Sequence, residues 1–134
     1  MKKILIVDFL CAEAHRNINE NLIECFSRSV ETTVLSINKY YHEIKNEWEK
    51  LGIHVIETNI NIHNSGKIGT RVFSLKSMSI SRQIIKKGDY DLVVVLGFET
   101  IAYSINVNFS LGKPTVVFHH RNIDELSRKQ IYKK

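Results

Sequence analysis

The segment Leu92-Val93-Val94-Val95-Leu96 is apolar at every position. A strand with one wet face alternates apolar and polar residues. An unbroken run belongs to a strand covered on both faces, as in a parallel sheet. Thr115-Val116-Val117-Phe118 reads the same way, so Val94 and Val116 are both expected to be fully buried. Three more short runs rich in β-branched residues are Ile4–Val7, Thr32–Ser36 and Ile53–Ile56.

Helical patterns fill the gaps between these runs. Ile18, Leu22, Cys25 and Phe26 fall at steps of four, three and one, which predicts one apolar helix face. Asn17, with Glu20 three residues later, is placed to cap its start. His42–Leu51 predicts a shorter helix closed by Gly52. Phe73, Ser77, Ile80 and Ile84 mark a third face ending near Gly88. Ile101, Ala102, Ile105 and Phe109 mark a fourth, ended by Gly112 and Pro114. Strands that alternate with helices in this way indicate right-handed βαβ units. The predicted class is α/β: a doubly wound, mainly parallel, Rossmann-like sheet of about five or more strands. Pro114 is the lone proline and no linker or repeat divides the chain, so residues 1–134 read as one domain.

Composition narrows the function classes. No apolar run approaches the ~20 residues of a membrane-spanning helix. Asp8 interrupts the first run too early for a signal-peptide core, so the opening residues read as a strand. Cys11 and Cys25 read as two reduced thiols, and the expected location is cytoplasmic. Nineteen basic residues against fourteen acidic give a net charge of +5, and the stretch from Gly112 onward carries +4 of it. That tail matches no nucleic-acid motif, and a solvated helix accounts for it.

Ligands of such sheets bind beyond the carboxyl ends of the strands, near the point where strand order reverses. Strands one, four and five are expected neighbours, so their following loops are the places to look. The first, Asp8 to Asn17, contains no glycine, which excludes the dinucleotide fingerprint and the P-loop. The opening strand resembles that of a phospho-receiver domain, but Phe9 follows Asp8 and no Asp ends strand three, so the acidic magnesium cluster is missing. His15 and Arg16 precede a helix start and suit an anionic or polyhydroxylated ligand, with a solvated loop pair as the rival reading. Asn59 to Thr70 is polar and contains glycine, and reads either as a substrate loop or as a plain connection. His119, His120, Arg121 and Asn122 directly follow an apolar strand, where imidazole can exchange protons with a sugar hydroxyl or stabilise negative charge. Adjacent histidines without a carboxylate or thiol at ligand spacing argue against a metal, and no cofactor is expected. A thiol nucleophile at Cys11 lacks a third orienting group.

From Gly88 to Asp124 the chain resembles the N-terminal domain of GT-B glycosyltransferases of the retaining "group 1" kind. The likeness lies in a Tyr90-Asp91-hydrophobic strand, a turn at Gly97 and Phe98, and a Gly112-Lys113-Pro114 strand entry ending in histidine and Asn122. The resemblance implies the acceptor-side half of an enzyme that moves sugar from a nucleotide-sugar donor to a glycan or lipid-linked acceptor, as in polysaccharide biosynthesis. It implies a catalytic His120 or His119, with His120 fitting the spacing from Pro114 better. It implies substrate contacts at His15, Arg16, Gly97, Phe98, Arg121 and Asn122. The family's second, donor-binding domain has no counterpart in 134 residues, so this chain alone is expected to be inactive. The basic C-terminal stretch would then help hold a lipid-phosphate acceptor at the inner membrane face. The alternative is a non-catalytic, flavodoxin-like module that binds a small ligand or a protein.

Overall fold

The structure is a computed structural model that describes residues 1–8, 16–39, 41–60, 66–96 and 112–118. Five strands form one sheet: β1 (Lys3–Asp8), β2 (Glu31–Ser36), β3 (His54–Glu57), β4 (Leu92–Leu96) and β5 (Thr115–Phe118). Their order across the sheet is β3-β2-β1-β4-β5. Every ladder is parallel, with Ile6 opposite both Val34 and Val94 in the centre. The five predicted runs are thus the five strands, and β1, β4 and β5 are neighbours as expected. The order is that of the first five strands of the Rossmann sheet, 3-2-1-4-5. It differs from the flavodoxin order 2-1-3-4-5, which corrects the flavodoxin-like label of the alternative reading.

The chain runs outward from β1 through β2 to β3, then crosses back over β1 to β4. Helices α1 (Arg16–Ser27) and α2 (Lys45–Lys50) connect the first three strands, and α3 (Gly66–Lys87) carries the crossover. Two apolar cores result, one on each face of the sheet. Side chains alternate across a strand, so β1 sends Ile4 and Ile6 to one core and Leu5 and Val7 to the other. The first core takes Ile23 from α1 and Trp48 from α2. The second takes Phe73 and Ile85 from α3.

Three expectations about the helices need correction. The core-facing stripe of α1 is Asn19, Leu22, Ile23 and Phe26, while Ile18 and Cys25 are exposed. A polar residue occupies the first position of that stripe, so an apolar-only reading rotates the helix. Asn17 is the second residue of α1 and lies inside the helix, not at its cap. Within the stretch predicted to be a polar loop, Gly66–Thr70 is already the first turn of α3. The helices expected around Ile105 and after Phe118 lie outside the described residues.

The burial of Val94 is as expected, whereas Val116 is 42% exposed. Val116 faces Val94 in the register but stands on the edge strand. Helices α1 and α2 pack against β2 and β3, toward the other side of the sheet.

Gly52 closes α2. Its φ of +83° is left-handed, its N–H reaches the carbonyl of Glu49 at 3.1 Å, and the N–H of Ile53 reaches that of Trp48 at 2.9 Å. This pair of bonds satisfies the last carbonyls of the helix, and Trp48 and Ile53 both enter the core beside it.

Candidate functional site

Strand order reverses between β1 and β4, and ligands of such sheets bind beyond the carboxyl ends at that point, here at Asp8 and Leu96. Asp8 is the last residue of β1 and only 1% exposed. A buried carboxylate must find donors. Asn19 Nδ2 donates to Asp8 Oδ2 at 3.2 Å from the second turn of α1, and Tyr41 Oη donates to the same oxygen at 2.5 Å. The backbone N–H of Tyr41 in turn donates to Ser36 Oγ at 3.1 Å, at the end of β2. The Tyr41 ring packs on Trp48 with centroids 5.0 Å apart, and Trp48 Nε1 donates to Glu24 of α1 at 3.0 Å. The cluster therefore ties β1, β2, α1 and α2 together at one rim. Asn19 Oδ1 is buried there without a hydrogen-bond partner.

Ser36 stands at the end of β2, where dinucleotide-binding sheets commonly carry an acid for the ribose. Its hydroxyl is buried and already accepts from Tyr41. Together with the glycine-free first loop, this removes both features by which a Rossmann rim grips a dinucleotide.

A second charged group lies farther along the same rim, at the end of β3. His42 Nδ1 is 2.7 Å from Glu57 Oε1, and Lys45 Nζ is 3.7 Å from Glu57 Oε2. Burial by itself raises the Glu57 carboxyl. The His42 hydrogen bond and the nearby charges of His42, Lys45 and Lys39 outweigh it and hold the group below the usual range. Lys39 itself takes a left-handed φ of +55°, unusual for a residue with a side chain.

Of the residues singled out from sequence, Arg16 is placed at the start of α1. Its Nε is 2.8 Å from Glu20 and its Nη2 is 3.5 Å from Glu43. An anion arriving at Arg16 must compete with these two carboxylates. His15, Gly97, Phe98, His119, His120, Arg121 and Asn122 lie outside the described residues, as does Cys11. Sequence reasoning passed over Asn19, Ser36, Tyr41, His42, Lys45 and Glu57. Among the described residues no three His, Cys, Asp or Glu side chains are grouped to hold a metal ion. An open groove of about 410 Å³ bordered by Glu49, Gly52, Ile53 and His54 lies at the amino end of β3, away from this rim.

No family model matches the sequence, and no curated protein is similar to it. Solved structures are similar in fold. The C-terminal domain (residues 78–226) of a hydrogenase of Pyrococcus furiosus aligns with a TM-score of 0.67 and 18% identity, covering 88% of this chain and 91% of that one. A second structure of that domain (residues 83–215) aligns with a TM-score of 0.63 and 16% identity, covering 87% and 91%. The likeness shows the fold. It also corrects the glycosyltransferase resemblance: the neighbours are domains of a hydrogenase-named protein and not of a GT-B enzyme. In this chain the Tyr-Asp pair leads into β4 and the Gly-x-Pro stretch leads into β5, and a shared fold does not by itself mark sugar transfer. No helix among the described residues is long and apolar enough to cross a membrane.

Proposed function

We propose that the chain is a Rossmann-type module that binds a small ligand bearing an anionic group, seated above the carboxyl ends of β1 and β4. The observation that carries this reading is the reversal of strand order between those two strands, directly beside Asp8. The start of α1 lies on the same rim and brings the positive end of the helix and Arg16 to it, and its first turn contains no acidic residue. The ligand is smaller than a dinucleotide, because Ser36 and the glycine-free loop supply neither of that ligand's usual contacts. Sugar transfer has no support among the described residues, since the histidines that suggested it lie outside them.

The test is thermal unfolding of the full chain with a mononucleotide, a sugar phosphate and a dicarboxylate. A ligand present at 100 times its Kd stabilises the folded state by about 2.7 kcal/mol, which is roughly 8–12 °C for a domain of this size. A shift of that order for one class supports the reading. No shift with any of the three at millimolar concentration opposes it.

A further inference from the structure

Helix α3 presents two faces of different character. Phe73, Ser77, Ser81 and Ile85 are buried against the sheet. On the other side Ile68, Val72 and Leu75 are exposed, Ile68 to 78% and Leu75 to 63%. Their steps of four and three put them in one line along the helix. A single exposed apolar residue is ordinary, but three in line on one helix are not. The helix is also one-sided in charge. Gly66–Lys87 contains six basic residues (Lys67, Arg71, Lys76, Arg82, Lys86 and Lys87) and no acidic one. Lys76, Lys86 and Lys87 are exposed.

We infer that α3 is a docking face for an anionic lipid surface, with Ile68, Val72 and Leu75 entering the headgroup boundary and the lysines meeting lipid phosphates. Charge complementarity selects this occupant. A second copy of the chain would set two such basic helices against each other. A nucleic acid would satisfy the lysines but gives three aliphatic side chains nothing to bury against. A stable protein interface engages about 20–30 residues on each side, with its own shape to match. A bilayer surface needs no matching shape: a short apolar stripe and a row of cations act together there. Ile68, Val72 and Leu75 are not among the residues placed at the rim above β1 and β4, so ligand binding and docking can be tested with different variants.

The experiment is co-sedimentation of the full chain with vesicles of pure phosphatidylcholine and with vesicles containing about one-third phosphatidylserine. The expected result is binding to the anionic vesicles alone, weakened by raised salt. The Ile68→Ser, Leu75→Ser double variant should bind at least about 10-fold less, because each lost aliphatic group removes buried area. Both positions are exposed, so an unchanged melting curve should accompany the loss. Three results would overturn the inference. One is no binding to anionic vesicles, which leaves the stripe to an acidic protein. Another is equal binding to both vesicle types. The third is full binding by the double variant, which would assign the contact to basic residues elsewhere in the chain.

Discussion

Tyr41 donates its phenolic hydrogen to the carboxylate of Asp8 across 33 positions of sequence, and both side chains are buried. The bond fastens the segment after β2 to the end of β1, beside the point where strand order reverses. Tyr41→Phe keeps the ring against Trp48 but leaves Asp8 without this donor. The expected loss is about 2 kcal/mol of unfolding free energy, with an unchanged urea m-value. A loss below about 0.5 kcal/mol would mean that the bond is dispensable.

Val94 and Val116 face each other in the β4–β5 ladder but differ in environment. Val94→Asp places an unpaired carboxylate in the core and should cost several kcal/mol out of a typical ~5–15, enough to abolish cooperative folding. Val116→Asp stands on the exposed edge and should stay within about 1 kcal/mol of the parent. Urea melts of the two variants check this. Equal damage would show that the edge of the sheet is covered.

Much of this architecture is legible in the residues. Apolar, β-branched runs such as Leu92–Leu96 and Thr115–Phe118 mark the strands, and their alternation with helical patterns points to a parallel sheet. The rim is harder to read. Asp8 looks like the polar end of a strand, and its partner Tyr41 sits 33 residues away with no local mark of the contact. Asn19 takes a core-facing position that an apolar pattern skips, which is why the predicted face of α1 is turned. The distinction between Val94 and Val116 depends on which strand lies at the edge, and that is a property of the whole sheet. The stretch from Gly88 to Asp124 contains two neighbouring parallel strands, β4 and β5, and an activity cannot be taken from it.

Acid should weaken the fold through two carboxyls. The backbone N–H of Lys3 holds Asp91 below its ordinary range against the opposing effect of desolvation, with further help from the charges of Lys2, Lys113 and the amino terminus. Glu57 is lowered as well. For both groups the unfolded chain binds protons at a higher pH than the folded one. Their stabilisation is therefore complete above the unfolded values, about pH 5 and up, and is lost as pH falls through the lower folded values. Denaturation at a series of pH values should show stability falling below about pH 5. The Glu57→Gln, Asp91→Asn double variant should show a shallower fall. An equally steep fall in that variant would assign the acid sensitivity to other groups.

Two glycines should respond differently to alanine. A Cβ at Gly52 meets nothing within 4 Å, so Gly52→Ala carries only the cost of its left-handed φ of +83°, about 1–2 kcal/mol. A Cβ at Gly88 would lie 2.1 Å from Cε2 of the buried Tyr90 ring. Gly88→Ala must displace that ring and should cost more than Gly52→Ala in the same thermal melt. The reverse order would contradict the packing at the end of α3.

Ligand binding above the switch point is tested most directly by amide NMR of the full chain, titrated with whichever small anion raises its melting temperature. The account predicts shifts concentrated at Asp8, Asn17, Ile18 and Leu96, on the carboxyl ends of β1 and β4 and the first turn of α1. Shifts confined to Lys3 and Asp91 at the amino ends, or to Ile53 and His54 beside the open groove, would contradict it.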